Sequence, residues 1–253
     1  MGLNEQMGAV DQLMRRPQDL AALLGGGDDV AQIVSTVDGE RAEAVHAVFA
    51  ELIAARWWQP RFPATVAALG HFLGEGYASW LVGQPCFLEA EGEDLRGNAL
   101  GRGVLAAVGG AELPAGSSEL PEWLGELCAY EYLLAVGLPR RASGEEVDAA
   151  FEAELLPGAT WFEGGRLTKR VLVAPFTWPV AELQEEPHDA EPDPHLRLLW
   201  IEEGAAAEVE GPHLAGDVLE LLAAGSEDAV VLAMDEEGGA ALDWLRGLGL
   251  LSD

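Results

Sequence analysis

The chain has 253 residues, 49% of them hydrophobic, with 14 Lys and Arg against 44 Asp and Glu, a formal net charge of -30 and an isoelectric point near 4.2. That length holds one large or two ordinary domains with ample material for a buried core. The charge speaks against direct nucleic-acid binding, because Lys, Arg and backbone amides must neutralise several phosphates and electrostatics supplies nearly all non-specific affinity. Acidity has two readings that stay open here: a device for solubility, or attraction of a basic peptide or protein.

No uninterrupted apolar run is long enough to span a bilayer, and the opening MGLNEQMGAVDQLMRRP lacks the basic-then-apolar order of a signal peptide. A cytoplasmic protein without a membrane or nucleic-acid partner is expected. Cys86 and Cys128 lack CxxC spacing, so two reduced, partly buried thiols are expected.

From Leu3 to about Gly144 the apolar period is helical and Gly or Pro punctuates it. Leu13, Leu20, Leu23 and Leu24 predict one or two helices around Pro17, stopped by Gly25, Gly26 and Gly27. A longer helix follows from about Gly39 to Trp58, with Asp38 as N-cap and Val45, Val48, Phe49, Leu52 and Ile53 turned inward. Further helices are predicted over Pro63 to Leu69, Phe72 to Leu81 and Pro121 to Val136, the last with Trp123, Leu124, Leu127 and Cys128 on a wide apolar face. Between them, the Gly and Ser content of Gly92 to Ser118 predicts a long surface connection, with a short helix around Leu100 and Val104 as the alternative. Ser143, with Glu146 three residues on, reads as a capping box opening a helix through Leu155.

Past that point the pattern changes. Leu167 to Pro175 reads as a strand, Trp178 to Leu183 as a second short element, and the proline- and acid-rich Glu185 to Pro194 as a loop. His195 to Glu202 is an apolar strand, Glu203-Gly204 a turn and Ala205 to Gly211 a second strand. Pro212 then opens a helix, and a final helix closes on the chain's end. This is a small winged-helix plan. The fold class is therefore α+β: an N-terminal α-helical bundle over residues 1-160, followed by a winged-helix-like domain with a short antiparallel sheet over 161-253.

No catalytic constellation emerges. His46, His71, His188, His195 and His213 form no HExxH or tandem ligand pair, and the one metal-like cluster, His188, Asp189, Glu191, Asp193 and His195, lies in a segment that reads as a solvated loop. There is no GxSxG elbow or Cys-plus-His motif, and the glycine triplet lacks the lysine of a phosphate loop. Neither a catalytic residue nor a metal ligand is assigned. Trp57 and Trp58 are adjacent, so on one helix they cannot face the same core; either one serves a partner interface or both pack against different neighbours.

Three stretches in order, Arg61 to Gly70 (RFPATVAALG), Phe72 to Pro85 (FLGEGYASWLVGQP) and Pro121 to Ala135 (PEWLGELCAYEYLLA), resemble the helical region of the partner proteins of multinuclear non-haem iron-dependent oxidases. Trp178-Pro179-Val180 resembles the aromatic-Pro-Val element before their C-terminal domain. The segment from LRLLWIEEG through AAEVEG and PHLAGDVLELLAAG to ALDWLRGLGLL is similar to the peptide-recognition domains of ribosomally made, modified peptides. The resemblance implies a non-catalytic accessory subunit without a cofactor of its own, whose partner oxidase carries the iron, and which binds the leader of a precursor peptide. Capture by β-augmentation at Ala206, Ala207, Glu208, Val209 and Glu210 is expected, with Trp244 and Leu248 on the neighbouring helix, Arg246 holding a peptide carboxylate, and Glu208 and Glu210 favouring a basic leader. The rival reading is a winged-helix regulator of DNA or of another protein.

Overall fold

The computed structural model describes residues 39–88, 97–145, 148–185, 190–212, 215–224 and 236–252. The N-terminal helices expected around Leu13 to Leu24, the Asp38 cap, Glu146, His188, Asp189, His213 and Leu214 lie outside these residues. The architecture is α+β, many helices with one four-stranded antiparallel sheet. It divides into two compact units, 1–124 and 125–253, so the division falls ahead of the boundary near residue 160 read from the composition. Among the described residues no helix is long and apolar enough to cross a membrane.

The first unit is helical. Helix α1 (Gly39–Ile53) runs into a π-helical turn (Ala54–Trp58), followed by α2 (Pro63–Leu73), α3 (Tyr77–Val82), α4 (Pro85–Leu88), α5 (Asn98–Val108) and the start of α6 (Trp123–Tyr132). Pro63 opens α2, where its fixed φ suits the first turn and its missing N–H leaves no bond unmade. At the other end Gly74 takes φ 76°, so the helix expected over Phe72 to Leu81 is instead two, broken at Gly74-Glu75-Gly76. The core holds Trp58, Phe62, Leu69, Leu81, Leu100 and Val104, all almost without solvent contact. Trp58 meets the edge of Phe87 at a ring separation of 5.8 Å.

Two expectations fail here for steric reasons. Helix α5 is a core element and not part of a surface connection: Leu100 and Val104 are fully buried, and a Cβ at Gly103 would fall 2.7 Å from Leu81 Cδ2, so its glycine permits close packing. On α1 the inward residues are Ala50 and Ile53, whereas Val45, Val48 and Leu52 are 50%, 61% and 62% exposed. Small side chains let α1 approach α3, where His46 Nε2 lies 3.2 Å from the Ser79 carbonyl oxygen.

The second unit contains the rest of α6, a π-helical turn (Leu133–Gly137), α7 (Leu138–Ser143), α8 (Ala149–Leu155), β1 (Thr160–Phe162), β2 (Val171–Phe176), α9 (Val180–Glu185), β3 (His195–Glu202), β4 (Ala205–Gly211), α10 (Ala215–Ala223) and α11 (Glu236–Gly247). Ser143 ends α7 and donates to the Arg140 carbonyl, so it caps nothing downstream. The N-cap of α8 is Asp148, whose carboxylate accepts from the Phe151 amide at 3.0 Å. The element after Trp178 is the helix α9.

The sheet order is β1-β2-β3-β4, every pair antiparallel, with Val171 opposite Trp200 and Leu198 opposite Val209. Because strand side chains alternate, each strand serves two layers. Val171, Val173, Leu198 and Trp200 pack with Val218, Leu219 and Leu222 of α10 and Leu242 and Leu245 of α11. The opposite face carries Leu172, Ala174, Phe176 and Leu199, all buried, and Phe176 meets the edge of Tyr130 on α6 at 5.8 Å. Helix α7 lies against β3 and β4 on this side. The end of the chain is tied in too: Thr168 N donates to the Leu250 carbonyl and Ser252 N to that of Arg166, each at 3.0 Å.

Candidate functional site

The β3–β4 turn sets the geometry of the candidate edge. Glu203 and Gly204 adopt φ 51° and 86°, the two positive values of a type I′ turn, whose twist matches that of the flanking strands. Such a two-residue hairpin closes on a hydrogen-bonded pair, here Glu202 and Ala205. Hydrogen-bonded and non-bonded pairs then alternate, so the backbone groups of Ala205, Ala207, Val209 and Gly211 face β3 and those of Ala206, Glu208 and Glu210 face outward. As β4 ends the sheet, those outward amides and carbonyls have no strand beside them among the described residues.

The side chains divide with the same parity. Ala207 and Val209 pack against the α10–α11 core, as do Trp244 of α11 and Leu248 just past its end, so four of the expected site residues border one core. Trp244 stands beside the far end of the strand: a Cβ at Gly211 would lie 3.5 Å from its ring atom Cη2 and 2.5 Å from Leu198 Cδ1. Glycine at 211 is what lets strand, ring and Leu198 converge. Leu248, just past the end of α11, is partly buried against the same core.

Glu208 departs from expectation. Its carboxylate accepts from the Tyr130 hydroxyl through one oxygen and from Arg197 Nη1 at 3.2 Å through the other, and Arg197 also lies over the Tyr130 ring at 5.6 Å. Burial first, and then the hydrogen bond to Glu208, push the Tyr130 hydroxyl far above the usual tyrosine range, so it remains a donor. The charge of Glu208 is thus engaged by Tyr130 and Arg197, and of the two strand carboxylates Glu210 is the exposed one. Arg246 is likewise engaged, donating to Asp243 at 2.7 Å one turn back on an exposed face, which leaves its other donors toward solvent.

The tryptophan pair resolves in favour of one member. Trp58 is fully buried in the first unit and presents nothing to a partner, which removes it as an interface residue. Trp57 is half-exposed, its carbonyl accepting from Arg61 Nη1 at 3.1 Å. Neither Cys86 nor Cys128 is in a disulfide, and Cys128 is buried. Among the described residues no group of three or more His, Cys, Asp and Glu side chains is placed to hold a metal ion. His195 is instead a structural group, stacked on Phe176 at 5.9 Å with its Nδ1 2.7 Å from the Asp193 carbonyl.

Two residues that brace the edge escaped the sequence reading. Tyr130 and Glu208 are 78 positions apart, and no local pattern marks a helix tyrosine that reaches a strand carboxylate. Arg197 sits in an apolar run where it reads as an interruption, although its alternation with Leu196 and Leu198 places it on the α6 face. No protein-family model, no characterised protein and no solved structure matches the chain.

Proposed function

We propose that this protein is a non-catalytic accessory subunit that binds the leader of a ribosomally made precursor peptide at the outer edge of β4 and presents that peptide to a multinuclear non-haem iron-dependent oxidase. The observation that carries the reading is the open edge of β4: outward backbone groups at Ala206, Glu208 and Glu210, with Trp244 close to the strand's end at Gly211. An extended guest would gain main-chain hydrogen bonds along that edge, and its alternate side chains would reach toward Trp244. The exposed carboxylate of Glu210 keeps copies of the strand from pairing with each other, since like charges brought together are unfavourable.

In this reading the C-terminal segment is a winged-helix-like recognition module whose sheet is braced from behind by Tyr130 and Arg197. The iron and the oxidation belong to the partner, and half-exposed Trp57 is the aromatic group offered to it. The cell compartment is the cytoplasm.

The test is a peptide-display selection on the full chain, followed by affinity measurement, together with mass spectrometry and iron analysis of what co-purifies from native cells. A selected peptide whose binding is weakened about twofold to tenfold or more by Glu210→Pro and kept on Glu210→Ala is the expected result, with an iron protein among the co-purifying species. Selected peptides insensitive to Glu210→Pro would remove the strand edge from the reading.

A further inference from the structure

The second unit contains a cavity of about 320 Å³ that is unlike the rest of this acidic molecule. Three of the chain's 14 basic residues, Arg141, Lys169 and Arg170, line it together with Trp161, Leu138 and Ile201. Arg141 is its fixed element. The guanidinium lies over the Trp161 ring at 4.6 Å and is held from behind by the buried carboxylate of Glu152 at 2.5 Å, while its Nε is buried without a hydrogen-bond partner. A planar donor fork held on an aromatic face keeps its geometry for a carboxylate.

Lys169 and Arg170 are the adjustable elements. Lys169 pairs with Glu202 at 2.6 Å and Arg170 with Glu163, and both carboxylates are largely in water, at 46% and 61% exposure. The lysine's hydrogen bond, followed by that of Trp200, holds the Glu202 carboxyl below its usual range, so at neutral pH it is a charged partner that an incoming anion must displace. Ion pairs as exposed as these contribute little and exchange readily. An incoming anion therefore meets one pre-set guanidinium and two cations with weakly held partners. Trp161, Leu138 and Ile201 supply walls for an apolar group next to the charge, and the volume lies at the small end of ligand cavities.

We infer that this cavity is a subsite for a carboxylate side chain of an acidic peptide, with the neighbouring apolar residue of that peptide resting on Trp161 and Ile201. The site is independent of the β4 edge. The same donors suit free phosphate, so the experiment separates the two sources.

The probe is the tetrapeptide acetyl-Leu-Glu-Glu-Leu-amide, titrated into the full 15N-labelled chain while the Trp161 indole and Arg141 Nε–H resonances are followed. Its Gln-for-Glu counterpart and sodium phosphate at matched ionic strength are the comparison arms. Saturable shifts with the Glu peptide alone are expected, weakened about tenfold or more by Lys169→Gln with Arg170→Gln, as for lost hydrogen bonds to charged groups. That double variant moves the net charge from -30 to -32, so Arg56→Gln with Arg61→Gln, in the other unit, is the charge-matched control and should leave the affinity unchanged. An equal response to the Gln peptide, no saturation with the Glu peptide, an equal loss in the control, or shifts from phosphate without shifts from the peptide would each overturn the assignment.

Discussion

Replacing Glu210 by proline separates the outward edge of β4 from its inward one. The Glu210 amide points away from β3, so proline there deletes no bond of the sheet, and proline is tolerated at edges for that reason. The stability change expected is within about 1 kcal/mol. Val209→Pro is the contrasting variant: its amide bonds β3 and its side chain packs on the α10–α11 core, so about 3 kcal/mol or more should be lost. For a bound peptide, Glu210→Pro removes one main-chain hydrogen bond worth roughly 0.5–1.5 kcal/mol, or about two- to tenfold in Kd, with further loss from the ring's bulk. Urea titration measures the first quantity and fluorescence anisotropy of a labelled, selected peptide the second, with Glu210→Ala isolating the side chain. Two results would refute the reasoning. If Glu210→Pro destabilises as strongly as Val209→Pro, the parity drawn from the turn is wrong. If it folds and binds like the parent chain, the guest does not lie on this edge.

All three tyrosines, Tyr77, Tyr130 and Tyr132, are held above the ordinary tyrosine value near 10, in each case by burial first and then by a carboxylate: Glu51, Glu208 and Glu152 respectively. The folded chain thus keeps protons that the unfolded chain would release. Their contribution is complete below about pH 10 and is lost as the pH rises from there toward the folded-state values, so the urea midpoint should fall in that window with tyrosinate absorbance appearing together with unfolding. Gly165→Ala should cost more than about 2 kcal/mol in denaturant titration, because the residue sits at φ 57° and a Cβ would lie 2.0 Å from the Leu222 carbonyl oxygen. Trp58→Ala should lose about 3–5 kcal/mol by the same measurement, while Trp57→Ala should stay within about 1 kcal/mol.

What was legible in the sequence was local. The bounds of β3 and β4 and the turn at Glu203-Gly204 follow from an apolar run, a turn pair and a second run, and the structure has those bounds. The α+β class follows from the same change of period. Expectations failed where a neighbour distant in sequence decides the outcome. Gly103 reads as a loop residue until Leu81 is set against it, and Val45, Val48 and Leu52 form an apolar stripe that the described first unit leaves outside its core. Ser143 offers a good cap, but Gly144 in the left-handed region ends the preceding helix there, and Asp148 takes the role. At the candidate site the main-chain edge was readable and the fate of the charges was not. Glu208 is spoken for by Tyr130 and Arg197 through contacts that arise only on folding.

The two-residue link between β3 and β4 also sets a phase that the core then locks. In a strand of L-residues with fixed direction, the face a side chain takes decides the side its amide takes, so Ala207 and Val209 held in the core keep the amides of Glu208 and Glu210 outward. A single residue added to the link must either be absorbed as a bulge, which leaves the offered groups as they are, or slip the strand and carry Ala207 and Val209 out of the core together with their amides. A guest's affinity should therefore survive a one-residue insertion wherever the stability of the chain does, and fall only together with it.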